Sequence, residues 1–379
     1  METKKASGQR QHVESITILR GLAALGVVIF HVRIFLWTGW GHTWNNPEQY
    51  STLDRLVAWL SLPSPLLGEG VLLFFVISGF CVHYPLAGRN DPINLRKYAI
   101  RRFLRIYPPF AVAVGLSLLA VAYFEWTTPA KEPWLTNLLL LHNYYPSVYS
   151  PISSNMSLWS IPTEIEFYLA YPLLLLLWRK WGPTQSMYLF GVVSLVAVGL
   201  YYQGLDGIEF SAFTFYILWW SGALLAELHA TNRLPRPGRT IVLMGLAMLG
   251  TGTIVIVLKQ GEGLVMVQRF LFGGFFVLLI WWFIIHKPIP SASSSIIAKI
   301  LVHLGNISFS LYLIHYPLLQ VCGLEWKKHN DGNSPSNFLI SIAFCGLAIA
   351  VAQVFYILVE KPSHKLARRL ASSCTQSKR

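Results

Sequence analysis

Ten long apolar runs alternate with short polar stretches along the chain, at residues 17–36, 68–87, 107–126, 158–178, 186–203, 211–229, 240–258, 264–285, 301–322 and 337–359. Each is long enough to cross a hydrocarbon layer of ~30 Å as a helix. Lipid offers no partner for backbone N–H and C=O groups, and a helix satisfies them within one segment. The pattern therefore predicts an all-α polytopic integral membrane protein with about ten transmembrane helices in a lipid bilayer. Two shorter apolar pieces fall between the runs. Ser51 to Leu62 reads as an amphipathic helix lying on the membrane surface. Trp134 to Tyr145 reads as an interfacial or re-entrant segment, because a crossing there would invert every later basic loop.

Charge fixes the expected orientation. Charged residues make up only 12% of the 379 positions, hydrophobic residues 54%, and mean hydropathy is +0.49, far from the roughly 25% charged content of soluble domains. With the amino terminus placed in the cytoplasm, Lys and Arg divide 22 to 6 in favour of the cytoplasmic side, with Arg20 and Arg269 inside spans. That split follows the positive-inside rule, puts both termini in the cytoplasm, and accounts for the net charge of +13 without a nucleic-acid partner. The expected organisation is a tail over 1–14, one membrane domain over 15–362 and a basic tail over 363–379. The first run lacks a small-residue cleavage site behind it and reads as a retained span. Cys81, Cys322, Cys345 and Cys374 are scattered, so neither a disulfide framework nor a metal site is expected.

Several polar groups inside the spans call for a reason. Arg20 and His31 are eleven residues apart on the first span, three turns plus about 20°, which puts them on one helical face ~16 Å apart along the axis. Arg20 alone would read as a side chain snorkelling to lipid phosphates, but the aligned histidine suggests a polar path. Histidine is also suited to take a proton from a hydroxyl near neutral pH. The segment Arg96 to Pro108 holds the densest basic cluster. Its plain reading is a topology signal with lipid headgroup binding. Arg102 and Arg105, three apart before a proline-started span, would also share a face suited to phosphate, so that Arg101 or Arg105 with Arg20 could clamp a phosphorylated cofactor.

Glu164 and Glu166 follow Pro162 at the start of the fourth span, about 200° apart around the helix, so one of them is expected to be structural. Ser308, Tyr312 and His315 form a polar stripe on the ninth span. Ser78 and Gly79 read as close-packing residues, and Arg269 as a snorkelling one.

Together these segments resemble a known family. Leu19-Arg20-Gly21 with His31, Phe74-Phe75-Val76-Ile77-Ser78-Gly79-Phe80, Arg101-Arg102 through Pro108, Leu158-Trp159-Ser160 with Glu164 and Phe167-Tyr168, Ser310 through His315, and Glu360-Lys361-Pro362 run in the order found in the acyltransferase-3 family of bacterial membrane acyltransferases. The resemblance implies an O-acetyltransferase-like enzyme of the bacterial inner membrane. It would move an acyl group, usually acetyl, from cytoplasmic acyl-CoA to a hydroxyl of a carbohydrate or glycolipid acceptor. It implies His31 as the essential histidine, Arg20 as its partner, and Arg102 with Arg105 as the arginine pair. Thr17 and Leu72 stand where many relatives carry acidic or polar residues. Many polysaccharide-modifying relatives carry an additional hydrolase-like domain, so this membrane domain is expected to act alone or with a partner protein.

The mechanism expected on this basis has CoA phosphates held by Arg20, Arg102 and Arg105, with the pantetheine arm running toward His31. His31 acts as general base or as nucleophile, oriented by Glu164 or by His315. Acylation of a small metabolite or lipid-linked molecule, or a transporter using the same polar path, are the competing readings.

Overall fold

A computed structural model describes residues 2–123, 131–144, 155–258, 262–286 and 295–376. Residues 124–126 of the third predicted span, and Lys259, Lys287, Lys378 and Arg379 of the charge count, lie outside them, as do the side chains of residues 2–13, Lys131 and Cys374. Thirteen α-helices follow in chain order among the described residues. They are α1 (Glu2–Phe35), α2 (Trp40–Asn45), α3 (Thr52–Leu60), α4 (Gly70–His83), α5 (Leu95–Tyr123), α6 (Lys131–Leu138), α7 (Ser160–Tyr202), α8 (Ala212–Ala230), α9 (Arg239–Val257), α10 (Val265–His286), α11 (Ile296–His329), α12 (Phe338–Phe355) and α13 (Lys361–Gln376). No strand occurs among these residues. The fold is an all-α multi-pass membrane protein.

Nine helical stretches, rather than ten, are long and apolar enough to cross a membrane among the described residues. The difference lies in α7, whose 43 residues would form a straight rod of about 65 Å, twice the hydrocarbon thickness. Gly182, at φ +83°, and Pro183 break it into two arms that match the predicted fourth and fifth spans. The first arm buries Phe167, Tyr171, Leu175 and Trp178 while exposing Leu169, Leu173 and Leu176. Its apolar side chains thus divide between the protein core and the lipid-facing surface.

The two short segments are also short in the structure. Helix α3 begins with a reciprocal capping box between Ser51 and Asp54 and exposes Leu53, Leu56, Trp59 and Leu60, the apolar face of a surface-lying helix. Helix α6 leads into a single turn over His142–Tyr144. There Asn143 Nδ2 donates to the carbonyls of Trp159 (2.8 Å) and Phe210 (3.2 Å). Burial pushes the neighbouring His142 imidazole down to about 4, so it docks as a neutral group.

The third span differs from its expectation. Helix α5 does not start at its prolines but at Leu95, and runs through Pro108 and Pro109. A helical proline leaves the carbonyl four residues earlier without its N–H. Leu104, four before Pro108, instead accepts the Ser363 hydroxyl of α13. The same substitution recurs twice. Tyr168, four before Pro172, accepts the Tyr98 hydroxyl at 3.1 Å, and Leu313, four before Pro317, accepts Asn155 Nδ2 at 3.0 Å.

Small residues set the helix spacing. Helices α1 and α11 run side by side in parallel, and a Cβ on Gly305 would run into the Thr17 carbonyl. Helices α4 and α8 touch in the same way, with Gly79 against the Trp219 carbonyl and Gly222 against that of Val76. Gly79 thus packs closely as expected, whereas the neighbouring Ser78 accepts the Trp219 indole N–H at 3.2 Å and donates to Glu164. Gly79→Ala is expected to cost about 1–3 kcal/mol through overpacking. Gly250→Ala, with nothing within 4 Å of its added Cβ, should leave thermal stability in detergent unchanged.

Candidate active site

The parallel pair α1 and α11 carries two polar levels. At the first, Arg20 donates from Nε (3.0 Å) and Nη2 (2.5 Å) to the Gly305 carbonyl. The close approach of Gly305 to α1 makes that carbonyl reachable. Arg20 is therefore fixed to a neighbouring helix instead of snorkelling, and it lines a cavity of about 350 Å³. Arg102 and Arg105 line the same cavity from α5, together with Ser78, Cys81 and Glu164. None of the three guanidinium groups has a carboxylate within ion-pair distance among the described residues. Arg102 lies over the Tyr168 ring at 5.1 Å and the Tyr98 ring at 5.6 Å, which fixes its plane. Arg101 is exposed and lines neither this cavity nor the next, because one residue of helix turns it away.

Two carboxylates sit in the wall of this basic cavity. Glu164 accepts the Ser78 hydroxyl at 2.5 Å. Glu360, supplied by the single π-helical turn Tyr356–Glu360 between α12 and α13, accepts both the backbone N–H (3.1 Å) and the hydroxyl (2.5 Å) of Ser310. Glu166 points the other way and accepts the Ala212 N–H at the start of α8 (2.7 Å), the structural role expected for one of the pair.

The second level holds His31 and His315. Their facing nitrogens, His31 Nδ1 and His315 Nε2, are 3.1 Å apart. Protons can be assigned by elimination. His315 Nδ1 faces the carbonyls of Tyr312 (2.8 Å) and Leu311 (3.1 Å), so it carries a hydrogen. His31 Nδ1 faces the Val27 carbonyl at 2.9 Å, so it also carries one. That one hydrogen is then shared between the Val27 carbonyl (2.9 Å) and the lone pair on His315 Nε2 (3.1 Å). A neutral His31 is left with its own lone pair on Nε2, the nitrogen available to a second cavity of about 810 Å³. This cavity is also lined by Arg33, Glu69, Trp159, Gln268 and Arg269.

The sequence-based site is therefore divided. Arg20, Arg102, Arg105 and Glu164 meet at one cavity, and His31 lines the other. Glu164 does not orient His31, because Ser78 holds it at the basic level; of the two expected partners, His315 is the one that touches His31. The polar path expected along α1 is interrupted by Tyr312 and Val71, which line both cavities. Arg269 does not snorkel either, but pairs with Glu209 at 2.8 Å and lies 5.1 Å over the Phe210 ring.

Sequence reasoning missed Asn155, which is buried, binds the Leu313 carbonyl, donates to Ser117 Oγ (3.2 Å) and accepts from Ser157 Oγ (2.7 Å). Its signal was Pro317, since a proline inside a span calls for a donor from elsewhere. No cluster of three or more His, Cys, Asp or Glu residues fit to hold a metal occurs among the described residues.

A family model described as an acyltransferase domain matches residues 13–357. The chain belongs to this acyltransferase family. Peptidoglycan O-acetyltransferase OatA of Listeria monocytogenes is 26% identical to this acyltransferase over 345 residues, covering 82% of the chain and 50% of the relative. Acyltransferase MdmB of Streptomyces mycarofaciens is 24% identical over 382 residues, covering 94% and 92%. O-acetyltransferase OatA of Staphylococcus aureus is 23% identical over 377 residues, covering 92% and 56%. The chain thus spans about half the length of the two OatA relatives and nearly all of MdmB. No solved structure matches it.

His315 thus holds the His31 ring through the shared Nδ1–H. His315→Leu removes the lone pair that receives His31 Nδ1–H and should lower acyl transfer about 10²-fold, the scale of a ~1 Å misplacement. His315→Gln, whose side-chain carbonyl can accept the same bond, should recover part of that loss.

Proposed function

We propose that this acyltransferase is an O-acetyltransferase of a bacterial cytoplasmic membrane. In this reading acyl-CoA enters from the cytoplasm at the basic cavity, and its acyl group goes to a hydroxyl of a carbohydrate acceptor in the cavity of His31. The observation that carries the reading is the pair of levels on α1. A cluster of guanidinium groups with no carboxylate within ion-pair distance among the described residues lies on one side of Tyr312, and a histidine that lines the second cavity lies on the other. Guanidinium groups bind phosphate by charge-assisted hydrogen bonds, often bidentate. The ~16 Å of helix between Arg20 and His31 is a fitting reach for the pantetheine arm.

The match to two relatives named O-acetyltransferase supports acetyl as the group moved, and the peptidoglycan named for the Listeria relative supports an envelope glycan as acceptor. Placing the basic face in the cytoplasm follows from the charge split.

In the transfer, His31 Nε2 takes the proton of the acceptor hydroxyl as its oxygen adds to the thioester carbonyl. The C–S bond then breaks, and CoA leaves as the thiol with the proton that His31 held. In the alternative order, Nε2 attacks first, the C–S bond breaks to give an acyl-imidazolium and CoA thiolate, and the acceptor hydroxyl then adds, giving ester and free imidazole while its proton passes to the thiolate. Both orders need the same lone pair and the same support from His315.

His31→Ala protein that inserts normally should lose at least about 10²-fold in transfer of radiolabelled acetyl from acetyl-CoA to envelope glycan. Full retention would overturn the assignment. Arg105→Ala should weaken acetyl-CoA binding by about 1.5–3 kcal/mol, the value of a hydrogen bond to a charged group. Equilibrium binding to purified protein in detergent measures this, and an unchanged affinity would remove Arg105 from the donor site.

A further inference from the structure

The two cavities have opposite ends of the molecule behind them and one aromatic ring between them. Tyr312 lines both. Its hydroxyl donates to the Ser157 carbonyl at 2.6 Å, which leaves the Ser160 hydroxyl to donate to the phenolic oxygen at 2.7 Å. The edge of the ring meets Phe74 at 5.8 Å. The groups that hold the phenol come from the single turn Met156–Trp159 and the first residue of α7, whereas the ring itself hangs from the middle of α11.

We propose that Tyr312 is a latched partition between the donor and acceptor cavities, and that its ring swings aside for the acyl arm to reach His31. The need for a barrier is physical. Two polar cavities joined end to end inside a membrane protein would make a water-filled path, so a transferase working across the bilayer must keep them apart except during transfer. Three features fit a movable ring. The latch consists of two hydrogen bonds to the side-chain tip, so a side-chain rotation releases both. The Tyr312 carbonyl, which receives His315 Nδ1–H at 2.8 Å, belongs to the main chain and keeps its place when the ring turns. The main-chain bond that holds His315 in the two-histidine relay is therefore kept while the partition opens, and of the contacts with His315 only that between the Tyr312 and His315 rings, 5.8 Å between centroids, is released. Val71, the other shared wall, has only a short apolar side chain and leaves the closure to the phenol. The partition is read from geometry alone, and only its purpose in acyl transfer rests on the function proposed above.

Cys81 supplies a reporter, since it lines the basic cavity and not the other. The experiment uses full-length protein with Cys322, Cys345 and Cys374 replaced by serine, reconstituted in sealed vesicles of known orientation. A membrane-impermeant maleimide is added to one side at a time. With Tyr312 in place, Cys81 should react from the side bearing α13 and be at least ten-fold slower from the opposite side. Tyr312→Ala should abolish that difference. Tyr312→Phe, which keeps the ring and loses the latch, and Ser160→Ala, which removes one of its bonds, should give intermediate rates from the far side.

Equal labelling from both sides with Tyr312 intact would overturn the partition. So would a Tyr312→Ala protein that still labels from the α13 side alone. A Tyr312→Phe protein as tight as the parent would overturn the latch. These readouts do not depend on turnover, so an active His31→Ala protein would sink the proposed chemistry while leaving the partition standing, and the reverse also holds.

Discussion

A backbone carbonyl that loses its helical N–H inside lipid has no water to turn to, and this constraint shapes the centre of the molecule. Pro108, Pro172 and Pro317 each free one carbonyl within a span, and each carbonyl is met by a side chain from another element. Those donors tie α13 to α5, α5 to α7, and the segment before α7 to α11. All of these elements contribute to the walls of the two cavities, so the prolines act less as breaks than as sockets that dictate which neighbours must be present. The Asn155 socket sits next to the residues that hold Tyr312, and the Tyr98 socket next to Arg102.

Close helix contact then turns this frame into a site. Because Gly305 lets α11 lie against α1, a carbonyl of one helix comes within reach of the guanidinium of the other. A charge that would be expensive in lipid is held by hydrogen bonds and by an adjoining polar cavity. About three turns further on, the same parallel pairing brings two imidazole rings into contact. Both levels depend on the same register, so a shift of α11 along α1 would disturb the Arg20–Gly305 contact and the histidine alignment together.

Much of the fold was legible because its signals are one-dimensional. Apolar run length and Lys/Arg distribution gave ten crossings, and the Gly182-Pro183 pair explains why two of them share one long helix. The common face of Arg20 and His31 followed from helical periodicity, and the structure keeps them on one helix at different levels. What could not be read was which elements meet. Glu164 enters its helix as a plausible partner for His31, yet the placement of Ser78 on α4 decides its contact. Arg101 and Arg102 are neighbours in sequence, and only the packing of α5 decides which one faces inward. Arg269 looked like a surface anchor because its partner, Glu209, lies sixty positions away in the chain. Tyr312 was visible in a polar stripe, but its place between two cavities is a three-dimensional fact.

The support behind His31 ends on main-chain carbonyls, those of Leu311 and Tyr312, where a carboxylate stands in the familiar serine-hydrolase arrangement. A carbonyl dipole fixes a tautomer as well as a carboxylate does, but it does not neutralise a cation. With neutral rings the pair carries no net charge, and it is therefore insensitive to a transmembrane voltage that acts on each elementary charge by about 2.3 kcal/mol per 100 mV. A proton taken up by His31 would create a positive charge with no counter-ion in the relay, a state the low-dielectric surroundings oppose. Such a relay favours quick return of the proton over its storage, and so suits brief, paired proton movements more than a stable ion pair.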